Sequence, residues 1–372
     1  MPGFFSLVAQ DVWHHTNSQT NKNYQEATRR IKEAGSAKNQ ARELSLSGLM
    51  LTRVPKEVGR LTQLVTLELN DNRLTMLPSS LGRLTRLQSL DVRNNRLSTL
   101  PPELGQLTEL LFLNLDENKL STLPPSIFQG PKLLWLDVNK NQLISLPPEI
   151  GQLTSLQSLS VRHNQLEQLP PEIGQLANLQ SLDLDYNHLT QLPPQIGGLT
   201  RLRLLGLSGN QVSKLPEEIG QLTQLEWLDL SMNHLLSFPP EIGQLRKLEE
   251  LDANGNAVQE LPCQIGRLTQ LHTIHLSGNQ LRCLPAEIGQ LHKLRWLDLS
   301  RNWLQELPPE IANLRQLEWL GLGDNDFKGV RDELFEQEPR EIMRVILARQ
   351  QPLEATQVEQ EISYGVQLPV PA

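Results

Sequence analysis

One asparagine recurs every 23 residues, at Asn72, Asn95, Asn118, Asn141, Asn164, Asn187, Asn210, Asn233, Asn256, Asn279, Asn302 and Asn325, and the spacing never slips. Self-similarity at a period of roughly 20 to 50 residues marks a solenoid, in which each unit packs only on its neighbours. For a chain of 372 residues this overrides the default expectation of two globular domains. The stretch LEWLDLSMNHLLSFPPEIGQ, from Leu225 to Gln244, is one such unit, and closely similar stretches begin at Leu202 and Leu248.

Each unit reads as three parts. The LxL segment alternates apolar and polar residues at period two, which predicts a short strand with its leucines inward. Stacked units make these strands parallel neighbours, about 4.8 Å apart. The chain then turns at the asparagine, where backbone N–H and C=O groups face the interior without ladder partners. An amide both donates and accepts, so a buried asparagine column can satisfy them. The return limb, LPxxIGxL, carries a proline column from Pro55 to Pro308. Proline fixes φ and lacks an N–H, which predicts an extended or 3₁₀ limb instead of a long helix. Phe128 and Ala312 stand where the other limbs have glycine. A compact limb behind a strand ladder curves the stack, with the sheet on the concave side.

The flanks depart from the pattern. Residues 1–22 read as a poorly ordered arm. Residues 23–40 read as a capping helix, with Tyr24, Ala27, Ile31 and Ala34 at helical spacing, covering the edge of the first strand. Residues 41–328 hold 13 units, the first atypical because Leu49 replaces the asparagine. Residues 329–350 read as a second cap, with Ile342, Val345 and Ile346 and also Leu353 as its covering face, and 351–372 as a disordered tail.

Composition narrows the function. The net charge of −8 argues against binding a nucleic-acid duplex, which needs clustered Lys and Arg. The two cysteines, Cys263 and Cys283, fall in different columns, and neither end carries a disulfide staple, which points to a reducing, cytoplasmic setting. No run of about 18 apolar residues exists, so no spanning helix is expected. The start, MPGFFSLVAQDVWHH, lacks a basic leading region and reads as something other than a signal peptide.

The unit LxxLxxLxLxxNxLxxLPxxIGxL, running from Leu44 to Phe327, resembles the leucine-rich repeat. Its LPPEIGQL wording is similar to intracellular members, among them Ras-suppressor and Ras-group scaffold proteins and many bacterial repeat proteins. The entry segment RRIKEAGSAKNQARELSLSGLMLTRVP resembles the start of the repeat domain of Roco proteins, in which a GTPase domain follows. The sequence has no GxxxxGK[ST] loop, so only the recognition half of such a protein is present. The resemblance implies an α/β solenoid, a horseshoe with a parallel concave sheet, and protein–protein recognition on that sheet.

No catalytic or metal-binding constellation stands out: HExxH, paired CxxC and GxSxG are all absent. His188 and His234 share a column two units apart, too far for one metal. Cys263 has no histidine implied as its base. The chain is therefore read as a non-enzymatic monomer without a cofactor.

Specificity is sought in the strand residues that point away from the core. The column before the first strand leucine contains Phe112, Trp135, Trp227, Trp296 and Trp319, with Leu204 and Glu250 also in it. Exposed tryptophan is enriched at binding hot spots. Trp227, Trp296 and Trp319 are read as the anchors, and adjacency allows Trp296 and Trp319 to stack. The column between the two leucines contains Asp91, Asp137, Asp183, Asp229, Asp252 and Asp298. Like charges on neighbouring strands repel, so this strip is read as a surface for a basic partner, although LDLSxN is also common repeat wording. Two functions are carried forward: a scaffold that grips a protein on its concave face in intracellular signalling, and a regulator or sensor of a Ras-like or Roco-type GTPase.

Overall fold

The computed structural model describes residues 21–36, 40–327 and 337–350. The expected tail and nearly all of the expected arm lie outside them, as does Leu353. The repeats form one 13-stranded parallel sheet whose strands follow sequence order from β1 (Glu43–Ser45) to β13 (Trp319–Gly321). Pairing advances by one unit at each step, so Leu44 faces Leu67, Leu67 faces Leu90, and the register holds to Leu297 against Leu320. The middle residue of each strand is buried. The leucines before and after it join one continuous core along the solenoid.

The asparagine column does what the turn demands. Asn187 is buried. Its Oδ1 accepts the Leu166 N–H at 3.0 Å, and its Nδ2 donates to the carbonyls of Val161, Leu184 and Asp185 at 3.1, 3.0 and 3.3 Å. Leu166 and Val161 belong to the preceding unit, so each amide ties two turns together. The same pattern starts at Asn72 and ends at Asn325. The first unit lacks its own asparagine and is served by Asn72, while Leu49 packs half-buried against the core.

The turn has a second requirement. The residue before each ladder asparagine is left-handed, from Asp71 (φ 58°) through Tyr186 (53°) and Met232 (54°) to Asp324 (56°), with glycine at 209, 255 and 278. A non-glycine residue there costs about 1 kcal/mol, which the ladder bonds outweigh.

Each described return limb is a five-residue 3₁₀ turn introduced by an extended proline, as in Pro148–Gln152 after Pro147. The limb glycines let successive turns touch: a Cβ at Gly59 would sit 2.3 Å from the Ser80 carbonyl oxygen. The fourth limb exchanges two positions. Phe128 takes the glycine place and is buried, while Gly130 takes the place held by Leu107 and Leu153 in neighbouring limbs. The large ring and the small residue offset one another in volume. Ala312, in the last limb, is exposed.

Helices cover both ends. The first, α1, is formed over 21–34 and buries Ala27, Ile31 and Ala34 in the same core as Leu44 and Leu46. Arg30 donates to the Ser45 carbonyl at the end of β1, at 3.1 Å. The second, α2 (Pro339–Gln350), buries Ile342, Met343 and Ile346. Val345 is only half-buried, because the inward face turns toward Met343 on the other side of Ile342 and Ile346.

Candidate functional site

The outward strand residues lie in straight columns because the register never shifts. In the first column, β4 (Phe112–Asn114) and β5 (Trp135–Asp137) are neighbours, and Phe112 and Trp135 stack at 4.6 Å and 6°. At the other end, β12 (Trp296–Asp298) pairs with β13, and Trp296 stacks on Trp319 at 4.3 Å and 12°. His275, one strand before, tilts toward Trp296 at 6.5 Å. Phe112 and Trp296 are 41% and 40% exposed, so each pair keeps one face largely in water. Offset stacking adds about 0.5–1.5 kcal/mol beyond area burial, so these rings also support the sheet.

Of the three expected anchors, Trp296 and Trp319 are neighbours and Trp227 stands apart. Trp227 opens β9 (Trp227–Asp229), between Leu204 on β8 (Leu204–Gly206) and Glu250 on β10 (Glu250–Asp252). It is three strands from Trp296, or roughly 15 Å at the usual spacing. The sheet face carries two aromatic pairs and one separate tryptophan. Leu204, 43% exposed, belongs with Trp227 as an apolar neighbour.

The Trp319 ring has a built seat. A Cβ on Gly321 would lie 2.2 Å from its Cη2 and 2.6 Å from Asp298 Oδ1. The ring therefore lies across the glycine, which stands where most strands carry an acid or an amide. Gly206 likewise makes room for Asp185, whose Oδ1 would be 2.8 Å from a Cβ there. The sequence signal for both was a glycine interrupting a polar column.

The acidic column splits into two kinds of residue. Asp183 accepts the N–H of the residue two positions on at 3.1 Å, Asp229 at 2.8 Å, Asp252 at 2.9 Å and Asp298 at 3.0 Å. Asp91 does the same for Arg93 at 3.0 Å, and Asn114 for Asp116 at 3.0 Å. These side chains close the strand end with a local turn, which is a structural duty. Asp137 has no such bond, because the N–H two positions on, at Asn139, donates to Asp116 Oδ1 on the neighbouring unit at 2.7 Å. The Asp137 carboxylate has no hydrogen-bond partner among the described residues.

Electrostatics follow from that geometry. Burial pushes the Asp137 carboxyl up to about 6, with Asp116 and Asp183 adding repulsion. Asp185, buried in the next column over, is also pushed up to about 6, by burial first and then by Asp183. Burial likewise raises Asp91, Asp116 and Asp252. Arg93 lies 3.3 Å from Asp91 and Arg162 lies 3.8 Å from Asp183, so arginines soften the strip on either side of Asp137. A shallow depression at this place is lined by Ser89, Asp91, Phe112, Asn114, Trp135 and Asp137.

Farther along the same face, the Tyr186 ring lies over Gly209 and stacks on His163 at 4.4 Å. Burial and the nearby Arg162 and Lys140 hold the His163 imidazole below its usual range. Both rings project from the left-handed positions, which sequence reading did not single out. Cys263 and Cys283 are free thiols on the surface. Among the described residues, no helix is long and apolar enough to cross a membrane.

Comparison with known proteins agrees with this geometry. Models described as "Leucine-rich repeat region" match residues 80–166, 194–277 and 263–331, and shorter repeat models match 154–212 and 63–84. A leucine-rich repeat protein of Leptospira interrogans is 38% identical, with a TM-score of 0.63 over 80% of this chain and 79% of that one. The plant peptide hormone receptor RGFR1, solved in complex with RGF2, is 30% identical, with a TM-score of 0.52 over 73% of this chain and 53% of that one. Drosophila Toll, solved with Spatzle, is 26% identical, with a TM-score of 0.67 over 77% of this chain and 39% of that one. No curated protein matches the chain. A single unbroken register, an asparagine ladder from Asn72 to Asn325 and these similarities together place the chain in the leucine-rich repeat family.

Proposed function

We propose that the protein is a non-enzymatic scaffold that holds a partner protein on its concave sheet. Leucine-rich repeat proteins generally mediate protein–protein interaction. The observation that carries the reading here is the pair of half-exposed aromatic stacks on a face whose regular positions are already satisfied. Burying large rings against a partner gains hydrophobic free energy that a wet sheet forgoes. Two of the solved similar structures are complexes of receptors, RGFR1 with RGF2 and Toll with Spatzle. The surface fits a partner with basic patches, and two free, exposed thiols fit a reducing cytoplasm.

The test is affinity capture from native cytosol with the full chain, beside a variant carrying Trp227→Ala, Trp296→Ala and Trp319→Ala. Capture of one partner by the parent and not by a folded variant supports the proposal, and undiminished capture by the variant overturns it. The likeness of the entry segment to Roco proteins, and of the repeat wording to Ras-group proteins, extends the proposal to signalling beside a Ras-like or Roco-type GTPase. GTP turnover of a captured GTPase, unchanged when the protein is added, rejects that extension.

A further inference from the structure

We infer that the depression beside Phe112, Trp135 and Asp137 is the subsite that receives an arginine side chain from a basic segment of the partner. The inference rests on the scaffold reading and specifies where the partner's charge enters. Asp137 is the strand aspartate that the backbone does not use, since Asp116 has taken over the Asn139 N–H. A half-buried carboxylate without a partner is disfavoured, and a cation placed beside it removes that penalty.

The surroundings select the kind of cation. One wall is the near-parallel Phe112–Trp135 stack, and the opposite wall is acidic, with Asp91 and Asp137 on either side of Asn114. A planar guanidinium can pack on the rings while its N–H groups reach a carboxylate. A compact, strongly hydrated ammonium gains less from the aromatic wall. The resident arginines are engaged elsewhere in the strip, Arg93 with Asp91 and Arg162 toward Asp183, so the unpaired carboxylate of the depression is that of Asp137. The Asp137 carboxyl, pushed up to about 6 by burial, falls back once a guanidinium is beside it.

The test titrates the full chain with a capped octapeptide alternating arginine and glycine, following the tryptophan indole N–H signals by NMR. Lysine–glycine and citrulline–glycine octapeptides serve as counterparts. The Trp135 indole, assigned with Trp135→Phe, is expected to shift first. Asp137→Asn should weaken arginine binding about tenfold, while Glu310→Gln, which removes the same charge from an exposed position of the limb Pro309–Asn313, should leave it unchanged. Equal weakening by both variants, equal binding of the lysine or citrulline peptide, or no response at Trp135 overturns the inference. If Trp135 stays silent while the triple tryptophan variant still loses capture, the arginine subsite fails and the scaffold reading stands.

Discussion

Two polar columns run the length of this solenoid, one of asparagines and one of aspartates, and they differ in how much of each side chain the fold consumes. Every ladder asparagine uses both ends of its amide on buried backbone groups of two units. The aspartates sit half-buried at the sheet surface and use one oxygen to close their own turn, so the second oxygen is not spent on the backbone. In Asp137 even the first oxygen is released. The asparagine column is therefore uniform because any exception strands an N–H in the core. The aspartate column varies because its turn N–H can be served from the neighbouring unit as well.

The comparison predicts a graded set of effects. Asn187→Leu should be the most damaging, because one N–H and several carbonyls lose their partners together. At about 1–3 kcal/mol for each stranded group, the loss should reach at least about 3 kcal/mol in urea unfolding. A loss below about 1 kcal/mol would mean that water replaces the ladder. Gly321→Ala tests the opposite side of the rule, a column position whose duty is to be empty. The added methyl must displace the Trp319 ring, at about 1–3 kcal/mol, and should abolish the near-ultraviolet circular dichroism of the Trp296–Trp319 pair. Retention of that signal would show that the ring does not need its seat.

Smaller effects bear on the exception. Asp116→Ala removes the acceptor of the Asn139 N–H and should cost about 1 kcal/mol, less if Asp137 turns inward to replace it. The double variant with Asp137→Ala reveals that replacement as a loss larger than the sum of the singles. Asp137→Asn should stabilise the protein by about 1 kcal/mol at pH 7, after discounting for the partly exposed carboxyl. The sign follows from the raised folded value. The folded state holds the Asp137 proton up to about 6, while the unfolded chain releases it near 3.8. Stability from this group thus falls as pH rises through that window and stays low above it. The benefit of Asp137→Asn should vanish by about pH 4, and a benefit independent of pH would assign it to something other than charge.

Much of this architecture was legible because the fold repeats its requirements. Leu228, Leu230, Asn233 and Pro239 recur in equivalent form along the chain, and the strand, turn and limb follow from period, amide chemistry and fixed φ. The left-handed residue before each asparagine was harder to see, since glycines 209, 255 and 278 stand among Asp, Asn, Glu, Lys, Arg, His, Tyr and Met. The candidate site was legible as columns and not as groups. Sequence places Phe112 beside Trp135 and Trp296 beside Trp319, and it sets Trp227 three units away from the latter pair. It also treated Asp137 as equal to Asp183, Asp229, Asp252 and Asp298. What separates them is a single N–H whose acceptor lies 23 residues back, and no pattern within one unit records that choice.

The most direct measurement is equilibrium unfolding of Asp229→Ala, Asp298→Ala and Asp137→Ala, side by side at pH 7. The first two remove an acceptor from a strand-end N–H and should each lose about 1 kcal/mol. Asp137→Ala should match or exceed the parent in stability. An equal loss in all three would show that Asp137 is spent on the fold like its neighbours, and the separation of structural from free aspartates would be wrong.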